Sequence, residues 1–202
     1  MELTIIVGSH RQASQSSKVG DYISKRIESL ELFKEVNILN LAETDIPFWD
    51  EGVWKGEEKW KEIWSPIESK LSKSDAFIII TPEWGGMVPS KLKNLLLLAS
   101  SNAMGNKPAL IVSVSAGLAG SYPVNELRTS GYKNTKICYI PEHIIVRKVE
   151  ESLNSEPNLN SEHDTYIRSR IDYALKLLGI YSENFKGIRN TDFNFDEYKF
   201  GM

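Results

Sequence analysis

The sequence predicts an α/β protein: a doubly wound sheet of five parallel strands, covered on both faces by helices in a three-layer α/β/α sandwich. Apolar runs of strand length alternate along the chain with stretches whose apolar residues recur at helical spacing. The runs at 75–81 (DAFIIIT) and 107–115 (KPALIVSVS) are typical of parallel strands buried on both faces. Because crossovers between parallel strands are right-handed, this alternation winds helices onto both faces of the sheet.

The first half of the chain begins with a strand in MELTIIV, residues 1–7, followed by a helix. Its apolar residues share one face: Val19, Tyr22, Ile23, Ile27 and Leu30. A second strand is predicted in LFKEVNILNL, 32–41, before an irregular, aromatic-rich connection at 45–54. The next helix also has an apolar face, formed by Trp60, Ile63, Trp64, Ile67 and Leu71. This stripe favours a core position for at least one of Trp60 and Trp64, whereas Trp49 and Trp54 lie outside it and are candidate interface residues.

The second half continues the alternation. The third strand, 75–81, leads to a leucine-rich helix near 90–101, and the fourth strand, 107–115, leads to a helix within 121–133. The fifth strand is predicted at 135–141, TKICYIP. A last amphipathic helix presents one apolar face, made of Ile167, Ile171, Ala174, Leu175 and Leu178.

The length of 202 residues predicts one domain, over 1–180, and a C-terminal extension, 181–202, that lies outside the strand–helix units. Exposed aromatic residues lower solubility, so we expect this extension to pack on the domain or on a partner subunit. Its aromatic residues are Phe185, Phe193, Phe195, Tyr198 and Phe200.

Composition excludes several classes of partner. The formal net charge of −3 and the lack of a long basic run give no electrostatic support for a nucleic-acid partner. Cys138 is the only cysteine, so an internal disulfide is impossible, which favours a reducing compartment. The sequence shows neither a signal peptide nor an apolar run of membrane-spanning length. We therefore expect a cytoplasmic protein that binds no membrane.

The segment GSHRQASQSS, residues 8–17, turns from the first strand into the first helix. Four serines and Arg11 crowd this turn, and the first amides of a helix are unpaired and favour an anion. Serines before a helix also act as N-caps, but one serine is sufficient for one cap. The spacing is neither that of the nucleoside-triphosphate loop nor that of the dinucleotide fingerprint. The turn therefore predicts a cradle for a phosphate monoester, such as that of a mononucleotide cofactor.

Two further loops follow predicted strands. TPEWGGMVPS, 81–90, combines two glycines, which allow close backbone approach, with the flat apolar face of Trp84. SVSAGLAGSY, 113–122, follows the fourth strand. In a doubly wound sheet the carboxyl ends of the strands form the ligand site, so we expect the three loops to meet there.

Together the loops resemble the NADPH-dependent FMN reductase family. GSHRQASQS, from residue 8, is similar to that family's phosphate loop G-S-x-R-x-x-S-x-[NS], and PEWGGMVPSKLKN, from residue 82, is similar to its P-E-Y-N-x-S-x-P-x-x-L-K-N. The resemblance covers about the first two thirds of the chain and implies a flavodoxin-like fold. It also implies a homodimer or homotetramer in which the partner closes the site.

The resemblance implies FMN as cofactor, with the phosphate held by Ser9, Arg11, Ser14, Gln15 and Ser16. It places the second and third loops at the isoalloxazine through Pro82, Glu83, Trp84, Gly85, Gly86, Met87, Ser115, Gly117 and Gly120. Three positions depart from the family pattern: Trp84 stands for Tyr, Gly85 for Asn and Met87 for Ser. These changes remove polar groups beside the ring, so the flavin's potential and substrate preference stay open.

The implied activity is that of an NAD(P)H-dependent FMN reductase or quinone reductase, with NADPH or NADH as co-substrate. Hydride passes from the nicotinamide to FMN and on to a small acceptor: a flavin, a quinone, an azo compound or a metal oxyanion. The flavin carries this chemistry, so no catalytic side chain is assigned. The three histidines (10, 143 and 163) are far apart and lack metal-ligand spacing, so no metal is expected. A non-catalytic electron carrier or FMN-binding protein is the alternative.

Overall fold

Five parallel strands form the centre of the protein in the order β2-β1-β3-β4-β5 in the computed structural model. This is the flavodoxin-like order, and it confirms the predicted fold. The structure describes residues 1–158, 160–195 and 197–198. The strands are β1 (Glu2–Val7), β2 (Glu35–Asn40), β3 (Ala76–Pro82), β4 (Pro108–Val114) and β5 (Cys138–Val146).

Helices cover both faces of the sheet and form two separate hydrophobic cores. On one face, α1 (Gln15–Ser29) and α8 (Glu162–Arg189) pack against alternate residues of β1, β3, β4 and β5. The opposite face is covered by α3 (Glu58–Lys73), α4 (Ser90–Leu98) and α6 (Ser121–Thr129). Short helices complete the chain: α2 (Gly52–Lys55), α5 (Ser101–Met104) and α7 (Tyr132–Thr135). Within the residues described, no helix has the length and apolar character to cross a membrane.

Two predicted elements differ most from those in the structure. Residues 135–137 were expected to start β5, but Thr135 ends α7, and the strand runs from Cys138 to Val146. It continues past Pro141 because β5 is an edge strand, where a missing amide does not interrupt the ladder. The helix predicted within 121–133 divides into α6 and α7 at Gly131, whose φ of +77° is incompatible with a continuous helix.

The C-terminal segment starts later than the sequence indicated. Helix α8 continues to Arg189, so residues 181–189 extend the last strand–helix unit rather than lying outside it. Beyond the helix, the Phe193 and Phe195 rings pack edge to face with centroids 5.0 Å apart. Lys136 Nζ donates to the carbonyl of Phe195 at 2.7 Å, which attaches this segment to its own domain. Phe200 lies outside the described residues.

Lys107 is buried at the amino end of β4, at the opposite end of the sheet from the three loops. Its ammonium donates to the carbonyls of Leu71 at 3.0 Å, Ser72 at 2.8 Å and Ala103 at 2.8 Å. Leu71 and Ser72 lie in the last turn of α3, where carbonyls lack the usual partner four residues on, although the Leu71 carbonyl also accepts from the Ser74 amide at 3.2 Å. Lys107 therefore closes the carboxyl end of α3 and joins it to α5.

Candidate active site

The three loops meet at the carboxyl edge of the sheet, as the topology rule predicts. The His10 ring, in the loop after β1 (loop one), packs edge to face on Trp84 in the loop after β3 (loop two), with centroids 4.8 Å apart. Glu83 Oε2 in loop two accepts from the amide of Gly120, in the loop after β4 (loop three), at 2.7 Å. One continuous surface therefore contains all three loops.

Loop one offers unpaired backbone donors. Ser14 is the N-cap of α1: its Oγ accepts from the Ser17 amide at 3.1 Å, so one serine does act as a cap. Within the described chain, seven amides of this loop and of the first turn of α1 donate no hydrogen bond: those of Ser9, His10, Gln12, Ala13, Ser14, Gln15 and Ser16. Arg11 is exposed, whereas Ser9 and Ser16 are almost fully buried beneath the turn. Free amides at the start of a 15-residue helix beside a guanidinium suit a phosphate dianion.

Loop two is a tight hairpin. Trp84 and Met87 exchange backbone hydrogen bonds of 3.1 and 3.0 Å, while Gly85 and Gly86 have φ values of +57° and +75°. Positive φ at both central positions is the requirement of a type I′ turn, so the two glycines are dictated by the backbone. In the described residues, no acceptor pairs with the Gly85 or Gly86 amide. The tip of the hairpin therefore carries two donors for a ligand's polar edge.

Loop three is anchored at both ends and exposed between them. The Ser115 amide donates to the Val146 carbonyl at 2.9 Å, and Ser115 Oγ accepts from the Gly117 amide at 3.2 Å. Residues 116–119 are exposed. Gly120 has φ +109°, and a Cβ there would lie 2.5 Å from Ile145 Cγ2, so the chain requires glycine at this turn into α6.

Every residue that the sequence analysis proposed for the site therefore lies in one of the three loops or at their ends. Pro82 ends β3 and is buried, and Glu83 serves as a link between loops rather than as an exposed group. The part of the chain that the structure describes contains no group of three His, Cys, Asp or Glu side chains placed to bind a metal.

The sequence analysis missed the residues that support loop two from below. Glu126 on α6 accepts from the Val88 amide at 2.6 Å and forms an ion pair with Lys93 on α4. Burial raises the pKa of Glu126, but hydrogen bonds from Lys93 and the Val88 amide outweigh it and hold the pKa below its ordinary value. Asn94 binds the Trp49 amide and the Pro47 carbonyl, both at 2.8 Å. The quoted motif contains Lys93 and Asn94, but α6 carries no local signal for Glu126.

The first 151 residues match the model of a protein family described as NADPH-dependent FMN reductase. The chain belongs to this family. Membership confirms the resemblance drawn from the loops of residues 8–16 and 82–94, and the matched region ends shortly after β5.

Two relatives of this chain are named as reductases. A quinone reductase of Pseudomonas putida is 32% identical over 127 residues, covering 61% of this chain and 64% of the relative. An FMN-dependent NADPH-azoreductase of Staphylococcus saprophyticus is 28% identical over 129 residues, covering 63% and 68%. The chain thus spans slightly less than two thirds of the length of the quinone reductase.

Solved structures share the fold over nearly the whole chain. The NAD(P)H:(acceptor) oxidoreductase FerB of Paracoccus denitrificans superposes with a TM-score of 0.70 at 20% identity, covering 91% of this chain and 98% of that one. The apo form of an NADH:FMN oxidoreductase superposes with a TM-score of 0.67 at 16% identity, covering 89% and 88%. At these identities the likeness shows the flavodoxin-like fold.

Proposed function

We propose that this chain binds FMN at the three loops and uses it to pass hydride from NADPH or NADH to a small acceptor. The observation that carries the proposal is the row of unpaired donors at one sheet edge, which combines loop-one amides and Arg11 with the tip of loop two. The names of the two relatives support a quinone and an azo compound as acceptor classes, and a free flavin is a third candidate. A metal oxyanion is a further candidate acceptor.

The phosphate half of the site would be formed by loop one. The unpaired amides of Gln12, Ala13, Gln15 and Ser16 and the Arg11 guanidinium would donate to the phosphate, and the partial positive charge of the α1 N-terminus would add to their attraction. Ser14 would contribute through the cap that holds the turn, and Ser9 through its Oγ, which accepts weakly from the Arg11 amide at 3.4 Å.

The ring half of the site would be formed by loops two and three. Trp84 is held edge-on to His10, and the amides of Gly85 and Gly86 are the donors available to the ring's polar edge. Met87 and Leu118 are 55% and 74% exposed, so they offer an apolar surface to a ring or an acceptor. Ser115, Gly117 and Gly120 would border the ring through backbone rather than side chain.

When bound, FMN supplies the redox chemistry, since it accepts hydride from the nicotinamide and gives two electrons to the acceptor. The residues of this chain bind and orient, and none is assigned as a general acid, base or nucleophile. Specificity between acceptors would depend on how much of the ring face the exposed residues of loops two and three leave open.

Titration of the purified chain with FMN, FAD and riboflavin tests the proposal. We expect FMN to bind most tightly, because loop one offers one phosphate cradle and no dinucleotide fingerprint. Anaerobic addition of NADPH or NADH should then bleach the bound flavin, and a quinone should restore its colour. Binding of FMN without reduction by either nicotinamide would support a non-catalytic carrier instead, and absence of flavin binding would refute the proposal.

We also propose that the chain forms a homodimer, alone or within a homotetramer, through a surface that we call the tryptophan groove. This cavity of about 540 Å³ lies between α3 and α4 and is lined by Trp49, Trp54, Trp60, Trp64 and Leu97, among other residues. Trp54 and Leu97 are 78% and 63% exposed, whereas both Trp60 and Trp64 are buried in the core, which the helical stripe indicated for at least one of them. Aromatic residues in a concave apolar surface are typical of interface hot spots.

The cytoplasm is the compartment that we propose for this activity. Cys138 is the only cysteine, so it has no disulfide partner within the chain, which suits a reducing compartment. Burial raises the pKa of its thiol, so the thiol stays protonated.

A further inference from the structure

Loop two is fixed to α6 at both of its ends. On the entry side, the Gly120 amide, at the N-cap of α6, donates to Glu83 Oε2 at 2.7 Å. On the exit side, the Val88 amide donates to Glu126 Oε2 at 2.6 Å. Between these two attachments lies the self-closed hairpin of Trp84 and Met87. The hairpin is closed by its own two hydrogen bonds, so these attachments, together with the Glu83 amide bond to the Val114 carbonyl and the His10–Trp84 contact, set the direction of its tip.

The exit attachment reveals a residue that supports the site from outside it, because Glu126 lies on α6 and not in any of the three loops. Its carboxylate is about 25% exposed, and one oxygen receives the Val88 amide while the other receives the Lys93 ammonium. The Lys93 side chain is 46% exposed, and ion pairs this close to solvent contribute little to stability. Both contacts to the Glu126 carboxylate are charge-assisted, and the one from the Val88 amide holds the backbone of loop two.

We propose that Glu126 is a positioning residue for the flavin ring: it fixes the exit of loop two and thereby the direction of the Gly85 and Gly86 amides. The inference rests on the proposed function, since it concerns the ring half of that site. Glu126 is 32 residues beyond the end of the loop-two motif and touches none of the residues assigned to the phosphate.

The two halves of the site make the inference testable. Loss of the Glu126 carboxylate should weaken FMN and riboflavin by the same factor, because both ligands carry the ring. Loss of Arg11 should weaken FMN alone, because riboflavin lacks the phosphate. A charge-assisted hydrogen bond corresponds to about a tenfold change in affinity, which we expect for each ligand in the Glu126→Ala variant.

The experiment compares Glu126→Ala and Glu126→Gln with the wild type and with Asn125→Ala, an exposed neighbour on the same helix. Amide hydrogen exchange of the flavin-free protein reports on the Val88 amide directly, and flavin titration reports on the ring site. The midpoint potential of bound FMN is the third readout, and it should become more negative as donors to the ring's polar edge are lost. Glu126→Gln keeps an oxygen acceptor of the same shape and should give intermediate values.

Faster exchange at Val88 with equal losses of FMN and riboflavin affinity in Glu126→Ala would support the inference. Wild-type exchange at Val88, or an affinity for both flavins within twofold of wild type, would overturn it and leave the proposed function intact. If Glu126→Ala fails to fold, Glu126→Gln takes its place, and the expected loss of affinity is then about threefold for both FMN and riboflavin. If the wild type binds no flavin, the proposed function fails, and Val88 exchange still tests the attachment of loop two.

Discussion

Replacing Gly120 with alanine tests the construction of the site most directly. The residue turns loop three into α6 at φ +109°, and an added Cβ would approach Ile145 Cγ2 to 2.5 Å. Its amide also donates to Glu83, so any shift of the backbone disturbs the link between loops two and three. The substitution therefore acts on stability and on the site together.

The expected cost has two parts. Holding a residue with a side chain in this backbone region costs about 1–3 kcal/mol. Forcing a methyl group into the packed contact with Ile145 adds about 1–3 kcal/mol. Gly120→Ala should therefore lower the free energy of unfolding by about 2–6 kcal/mol, which for a domain of this size lowers Tm by about 10 °C.

Urea unfolding of the flavin-free protein measures this loss, and Gly117→Ala is the matched control in the same loop. An added Cβ at Gly117 would meet no atom within 4 Å, so its stability should stay within about 1 kcal/mol of wild type. A loss of less than 1 kcal/mol in Gly120→Ala, or an equal loss in both variants, would refute the reasoning.

Three further predictions concern the phosphate, the subunit interface and pH. Arg11→Ala should weaken FMN about tenfold to a hundredfold by titration and leave riboflavin nearly unchanged; equal losses would place Arg11 away from the phosphate. Light scattering of the wild type should give twice or four times the chain mass of 22.9 kDa, and the Trp54→Lys, Leu97→Glu double variant should give 22.9 kDa. Ile180→Glu, a control on the opposite face of the sheet, should keep the wild-type mass. A measured mass of 22.9 kDa for the wild type would exclude the dimer. Burial, with a smaller effect of nearby positive charge, lowers the pKa of Lys107 from 10.5 to about 8. The unfolded chain therefore binds more protons between these pH values, so stability relative to Lys107→Met should rise by up to about 3 kcal/mol as pH increases from 8 to 10.5. If the difference in free energy of unfolding between the wild type and Lys107→Met stayed constant from pH 8 to 10.5, the prediction would be wrong.

The layout of the fold and the place of the site could be predicted from local patterns. Runs such as 75–81 are apolar on both faces, which is typical of a parallel sheet covered on both sides. The stripe that contains Trp60 and Trp64 indicated which side of α3 is buried. Once the strands are parallel, their carboxyl ends share one edge, so the loops after β1, β3 and β4 had to meet. Element ends were less predictable, because Pro141 reads as a strand terminus until β5 is known to be an edge strand.

The sequence by itself determined the parallel sheet, the three loops and the glycines of loop two, because each depends on residues adjacent in the chain or on a period of two or 3.6 residues. Only the tertiary structure decided how the loops are held to one another. The Glu126–Val88 bond joins residues 38 apart, and the Glu83–Gly120 bond joins residues 37 apart. A glutamate on a helix surface has the same local pattern whether it faces solvent or binds a backbone amide. Its role therefore became visible only when packing of α4 and α6 on the same face of the sheet brought its partner within 2.6 Å.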